Sequence, residues 1–443
     1  MAEISVSEKL ITFSLDRLSA VPRRVTEIVS LSLFDWLAVG LAGVRQPVSQ
    51  KLLAYACGAG GSPEASLFGS NHKTTCRMAA LVNGTTSHAL DYDDTHFAYI
   101  GHPSTVIFPT LLALAEKQNT SMSAFLEAAV VGYETACRIG IWLGREHYQV
   151  GYHQTATAGA IGATFAAARL IGLSAAETSH ALGLVTSRAA GLKSQFGTMG
   201  KPMNAGLAAA NAVECAELAR LGMTSNPDAL EGQNGFAQTH HAERNTKAAV
   251  ADLGLVYILQ GISHKYHACC HGLHAALDAL RGVHAKHPFN PRQIDYVLIK
   301  THPRWMTVCN ITKPQTGLET KFSYRHTAAL LLCGYDTGKL GSYTDNLAQN
   351  AKIQAMRKRV NVEADKSVGE MASEVSIRSI DGAVFQGKYD LAQPADPKEI
   401  QLRLSRKARA LVSDDTADAV WQTTRPQAGS VTRMSEILRG LRP

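Results

Sequence analysis

The run ATAGAIGATFAAARLIGL at 156–173 is apolar nearly all the way round and is built largely from alanine and glycine. A helix of that composition has no solvated face, so it belongs among other helices, and its small side chains let neighbours approach closely. On its N-terminal side, 27–44 keeps apolar residues at Ile28, Leu31, Phe34, Leu37 and Leu41, and 123–143 holds the same helical period. On its C-terminal side, Ser174 followed by Glu177 has the spacing of a capping box that opens a new helix. The run MNAGLAAANAVECAELARLG at 203–222 closes on Gly222, a natural C-terminal stop. Residues 1–262 therefore read as helix after helix.

The character changes after about residue 285. QIDYVLIKTHP (293–303) has strand composition, with alternation around Tyr296, Leu298 and Lys300. SEVSIRSIDGAVFQGKY (373–389) is two alternating runs joined at Asp381-Gly382, a hairpin signal. Helices are predicted between them, over 322–336 and 347–358. The expected fold class is mostly α. A large all-helical domain is formed by 1–262 and a helical C-terminal return over 396–443. A smaller α+β domain spans 263–395, its exit marked by LAQPADP (391–397).

Composition narrows the function classes. With 443 residues, 45% hydrophobic and 18% charged, the chain can bury a sizeable core and is not broadly disordered. The net charge of +7 fits a mildly basic surface or attraction of anionic substrates. Lys and Arg are dispersed without interleaved aromatics, which argues against nucleic acid; the dense patch 352–359 reads as a solvated helix face. The eight cysteines show no disulfide spacing, so a reducing compartment is expected. The first ten residues lack a signal pattern, and no uninterrupted apolar window matches a membrane span. The expectation is a cytoplasmic protein with no membrane partner.

Four segments carry the chemistry. HALDYDDTHFAYIGHPST (88–105) packs Asp91, Asp93, Asp94, Thr95, His96 and His102 ahead of an apolar helix, whose free N–H groups would favour a bound carboxylate. The plainer reading is a capped loop with surface acids. A metal loop would need a confirming ligand pattern, which the sequence does not supply. GTMGKPMNAG (197–206) holds Lys201 among glycines. It departs from a phosphate loop, so Lys201 reads as a point charge for a carboxylate, as a base, or as an ordinary surface lysine. HKYHACCHGLHAALDAL (264–280) carries Lys265, Cys269, Cys270, His271 and His274. Adjacent cysteines without a CxxC are poor zinc ligands, and such a pair at a helix start is commonly structural. In GYHQTATAGAIGA (151–163), His153 precedes the buried helix, either as a packed histidine or beside a bound anion.

In order and spacing these segments, with GYETACRIG (132–140), KFSYRHTAALLLC (321–333) and EVSIRSIDG (374–382), resemble the MmgE/PrpD family over almost the whole chain. That family includes 2-methylcitrate dehydratases, cis-aconitate decarboxylases and iminodisuccinate epimerases. The resemblance implies a helical domain built from both chain ends, an α+β lid, a homodimer, a small carboxylate substrate, and no metal or organic cofactor. By motif match it puts Asp91, Thr95, His102, His153 and Lys201 at active-site positions. Lys265, Cys270, His271 and His274 border the site from the lid. The sequence departs from the family at Asn204, where a KPLHAG-like run has histidine, at His326, where an FSxxY motif has tyrosine, and at the lid histidine of the decarboxylases, which corresponds to Cys270 or His271.

The chemistry implied is proton transfer at a carbon next to a carboxylate, which needs a poised base and stabilisation of the developing charge. His102 and Lys201 are expected to hold carboxylates, His153 or Lys201 to act as base, and Asp91 to orient a histidine. On the departures at Asn204, His326 and Cys270, epimerisation of an iminodisuccinate-like dicarboxylate is the leading expectation. A 2-methylcitrate-type dehydratase, a cis-aconitate-type decarboxylase and a non-catalytic carboxylate-binding protein are the alternatives.

Overall fold

A computed structural model describes residues 5–16, 21–288 and 290–440. The chain divides into two compact units, Met1–His264 with Pro397–Pro443, and Lys265–Asp396.

At the centre of the first unit is the helix Gln154–Ile171, in which only Arg169 and Leu170 escape full burial. Its small residues let other helices approach almost to backbone contact. A Cβ on Gly162 would fall 2.5 Å from Ala136 Cβ and 2.7 Å from its Cα, on the neighbouring helix Met122–Gln149. That neighbour is capped by Ser121 and broken at Gly144, whose φ of 76° is unavailable to most L-residues without strain. The capping box at Ser174 and Glu177 is formed and opens the helix Ala175–Thr186. Gly222 follows the helix Gly200–Arg220 with φ +90°, as a C-terminal stop requires.

The helices Cys76–His88 and Gly200–Arg220 meet glycine to glycine. A Cβ on Gly84 would lie 2.9 Å from Gly206 Cα, and one on Gly206 would strike the Leu81 carbonyl and the Thr85 hydroxyl. This pairing brings the end of one helix, at His88, beside the start of the other, at Lys201. Backbone atoms cannot swing aside as a side chain tip would. Gly206→Ala is therefore expected to cost about 3 kcal/mol, measured by chemical denaturation. A loss under about 0.5 kcal/mol would show that the helix pair has room to spread.

The first unit is not wholly helical. Ala65–Leu67 and Ser70–Thr74 form a small antiparallel hairpin, and Thr95–His96 pairs with Ile262–Ser263. The hairpin lacks an alternating pattern. Asn83 holds it from below, accepting the Phe68 N–H at 3.0 Å and donating to Ser66 O at 2.8 Å. The helix Arg23–Gly43 is long and apolar enough in composition to cross a bilayer, although Glu27 and Asp35 interrupt its apolar run; 78% of its apolar stretch is buried within the fold, as in a core helix. The C-terminal helices Pro397–Leu411 and Asp414–Thr424 pack on it, joined by a buried ion pair between Lys407 and Asp35.

The second unit carries a four-stranded sheet in the order Val360–Ala364, Ile294–Thr301, Ala372–Ser379, Val384–Asp390. The first pair is parallel and the other two are antiparallel. The hairpin turns at Asp381-Gly382, with Gly382 at φ +90°. Along Ile294–Thr301 the buried residues are Ile294, Val297, Ile299 and Thr301, so Tyr296, Leu298 and Lys300 share the other face. The helix His274–Lys286 lies against the hairpin strands, where Gly387 leaves room for Val283 and the Ala279 carbonyl.

Candidate active site

In the first unit, His88 closes one helix, and Ser104–Gln118, Gln154–Ile171 and Gly200–Arg220 begin nearby. The helix starts are tied together. The His102 N–H donates to Thr155 Oγ1 at 3.1 Å, Lys201 Nζ lies 2.9 Å from Asp91 Oδ2, and Asn204 Nδ2 lies 3.4 Å from His153 Nδ1. Three helix N-termini and one lysine give the region a positive bias suited to a polycarboxylate.

The four residues Asp91-Tyr92-Asp93-Asp94 serve four different sets of partners. Asp91, in the left-handed region at φ 50°, faces Lys201 and stands 3.6 Å from His102 Nε2. The Tyr92 carbonyl accepts from Lys407 Nζ at 2.6 Å. Asp93 is fully buried and holds two imidazoles, His88 Nδ1 at 2.9 Å and His102 Nδ1 at 2.7 Å. Asp94 caps the helix Ser104–Gln118, accepting from Ser104 N at 3.1 Å and from the Tyr133 hydroxyl at 3.0 Å. Burial pushes the Asp94 carboxyl up to about 7.

The charge states follow from these partners. Burial opposes ionisation of Asp93, but the two imidazoles outweigh it and hold the carboxyl below its usual range. An ionised carboxylate only accepts, so both Nδ1 atoms donate to it. Burial keeps His102 neutral, its pKa lowered to about 4. Its Nε2 therefore presents a lone pair towards Asp91 Oδ1, 3.6 Å away and beyond hydrogen-bond distance. His153 is also held neutral, first by burial, with the nearby Lys201 ammonium acting in the same direction. Asn204 Nδ2 also lies 3.4 Å from the Leu192 carbonyl, which fixes the amide with its nitrogen towards His153. His153 Nδ1 must then accept, leaving the ring hydrogen on Nε2. His153 or Lys201 is the base expected from the sequence; in this arrangement His153 Nε2 is a donor, and His102 Nε2 carries a lone pair.

Two of these residues, His88 and Asp93, lay outside the residues singled out for catalysis. The signal was present: a histidine at the helix end, five residues before an aspartate. The fold also supplies what the sequence lacked for a metal loop, because His88, Asp91, Asp93 and His102 offer ligand atoms within 4.8 Å of one another. Their donor chemistry favours protons over a cation, since Asp93 accepts two Nδ1–H groups and Asp91 faces the Lys201 ammonium.

Thr95 lies in the short ladder, its hydroxyl 3.4 Å from the Ser263 carbonyl. In the second unit, His271 and His274 have ring centroids 4.6 Å apart, and His267 bonds Thr337 at 2.6 Å and Asp278 at 3.3 Å. Lys265 is buried, and Cys270 is half-buried, its thiol beside that of Cys309. His326 is fully buried on the helix Tyr324–Leu332, with neither ring nitrogen hydrogen-bonded among the described residues. Burial holds it neutral, at about 4. The GYETACRIG motif braces the fold, because buried Arg138 pairs with Glu134 at 2.7 Å and donates to the carbonyls of Ala249, Ala251 and Val256.

Residues 14–249 match the model of the MmgE/PrpD N-terminal domain, and residues 267–420 match that of the MmgE/PrpD C-terminal domain. Among curated relatives, a cis-aconitate decarboxylase-like protein, oryM, of Aspergillus oryzae is 29% identical over 61% of this chain and 59% of its own length. The human cis-aconitate decarboxylase is 27% identical over 77% of this chain and 74% of its own length. The mouse enzyme of the same name is 24% identical, over 88% and 83% respectively. The alignment thus takes in less than two thirds of the Aspergillus oryzae protein and more of the mammalian ones. With both domain models matched across most of its length, the chain belongs to the MmgE/PrpD family.

Proposed function

We propose that this protein is a lyase that decarboxylates a small unsaturated tricarboxylate of the cis-aconitate type. The observation that carries the reading is the Lys201–Asp91–His102–Asp93 series, in which Lys201 bonds Asp91 at 2.9 Å, His102 bonds Asp93 at 2.7 Å, and Asp91 and His102 face each other at 3.6 Å. Sequence departures put epimerisation first; the names of the relatives favour the lyase, and we follow them.

In the proposed reaction the bond to one carboxylate breaks, carbon dioxide leaves, and the electron pair spreads over the remaining unsaturated carboxylate. Lys201 and the His153 Nε2–H offset that charge. One proton then passes from the Lys201 ammonium to carbon. A solvent proton taken up at His102 Nε2 then passes through the Asp91 carboxylate to the neutral lysine, so each turnover consumes one proton and returns Lys201, Asp91 and His102 to their starting states. Epimerisation is the second reading, favoured by the presence of two groups that exchange protons, the Lys201 ammonium and the His102 Nε2 lone pair, on separate segments.

Incubation with cis-aconitate in D₂O, followed by proton NMR, tests the reading. Carbon dioxide release with one deuterium in the product supports it. Inert cis-aconitate, together with deuterium entry at the inverted carbon of iminodisuccinate, would overturn it in favour of epimerisation. Because His102 must stay neutral to take up a proton, kcat is expected to fall only as pH approaches its pKa of about 4. A pH–rate profile with its acid limb at an ordinary histidine value, roughly 6.5, would remove His102 from this role.

A further inference from the structure

Cys270 and Cys309 come from separate segments of the second unit, yet their sulfurs are 3.1 Å apart. Cys270 stands at the start of the turn His271–Leu273, which runs into the helix His274–Lys286. Cys309 follows the turn Pro303–Met306 that leaves the strand Ile294–Thr301. Both backbones are held: Cys270 N–H donates to the Lys321 carbonyl, Cys309 N–H to the Trp305 carbonyl, and the Cys309 carbonyl accepts from Tyr324. A disulfide requires the sulfurs to approach by about 1 Å, within reach of side-chain rotation.

We propose that this pair is an oxidation site that closes to a reversible Cys270–Cys309 disulfide when the protein meets a hydroperoxide. The two thiols have different environments. Cys270 is half-buried and reachable, whereas Cys309 is fully buried and its thiol donates towards the Cys270 sulfur. The hydrogen bond to Cys270 and burial hold the Cys309 thiol well above its ordinary value, so half-buried Cys270 is the member of the pair that meets the oxidant.

The chemistry balances. The Cys270 thiolate attacks one peroxide oxygen, the O–O bond breaks, and the departing hydroxide takes a proton to leave as water. Cys270 is then a sulfenic acid. The Cys309 sulfur attacks the Cys270 sulfur, the S–O bond breaks, and the second water carries off the Cys309 proton. Two thiols are oxidised and one peroxide is reduced to two waters.

The test treats the folded chain with hydrogen peroxide, blocks remaining thiols, and digests it with trypsin without reduction. The expected product joins the peptide Tyr266–Arg281 to the peptide Trp305–Lys321, about 2 Da lighter than the two free peptides, and dithiothreitol separates them. Cys269 shares the first peptide, so fragmentation between the adjacent cysteines assigns the bond. Cys270→Ala, at the half-buried position, should abolish the link while Cys269→Ala leaves it. Far-UV circular dichroism confirms that each variant is folded. Should Cys309→Ala fail to fold, the Cys270 and Cys269 variants still decide. A bond to Cys269, or peroxide damage confined to exposed Cys57 with Cys270 and Cys309 still open to alkylation, would overturn the proposal.

Discussion

Asp93→Asn is expected to lower kcat on the proposed tricarboxylate by about 10³-fold, the order set by losing a general acid–base group through the wrong tautomer. The reason lies in how an amide replaces a carboxylate that serves two imidazoles. Asp93 accepts from His88 Nδ1 and His102 Nδ1 at once. An asparagine can accept from one and must donate to the other. If its NH₂ faces His88, that ring carries its hydrogen on Nε2, which is buried without a partner among the described residues. If the NH₂ faces His102, the displaced hydrogen on Nε2 meets the Asp91 carboxylate, 3.6 Å away. The second arrangement is favoured, because a buried donor without an acceptor costs about 1–3 kcal/mol. His102 then has no lone pair facing Asp91 and cannot resupply the proton. The ring tautomer is readable by ¹⁵N NMR of labelled histidine, independently of turnover. A variant whose His102 stays protonated on Nδ1, or whose kcat falls less than tenfold, would sink the argument.

How far the sequence carried this reading differs between fold and site. The central helix was legible because an all-round apolar Ala/Gly run has no other place to go, and the capping box at Ser174 and the Asp381-Gly382 turn depend only on neighbours in sequence. The hairpin Ala65–Leu67 with Ser70–Thr74 escaped, since it is anchored by Asn83, Glu116 and the Leu438 carbonyl, all outside it in the chain. The strand Val360–Ala364 escaped too, being five residues whose partner is a parallel strand some sixty residues earlier. In the site, residue types were legible but directions were not. Nothing local separates Asp91, Asp93 and Asp94, although one faces Lys201, one holds two imidazoles and one caps a helix. That His153 donates where His102 accepts depends on Asn204 and the Leu192 carbonyl, which the fold alone brings together.

The aspartate turn is braced from the far end of the chain, and Lys407→Met should reveal how strongly. Lys407 Nζ lies 2.7 and 2.9 Å from the two Asp35 oxygens, 2.6 Å from the Tyr92 carbonyl, and 4.1 Å from the centre of the Tyr92 ring. Both charged groups are almost fully buried. Methionine keeps the stem and removes the charge, leaving Asp35 in an apolar surround with no cation. Breaking a buried pair on one side costs about 3–5 kcal/mol, so a loss of that size is expected in chemical denaturation at neutral pH. Its pH dependence has a definite sign. Burial already raises the Asp35 pKa to about 6, and Lys407 is what restrains it, so in the variant the value climbs further. A carboxyl whose folded pKa exceeds its unfolded one binds its proton more tightly when folded, so stability falls as pH rises from the unfolded value through the folded one. The gap between variant and parent should therefore widen between about pH 5 and pH 8. Asp35→Asn added to Lys407→Met should recover part of the loss, because it removes the stranded charge. A deficit below about 1 kcal/mol, or one equal at both pH values, would mean that water reaches Asp35 and that the aspartate turn is held by its local bonds instead.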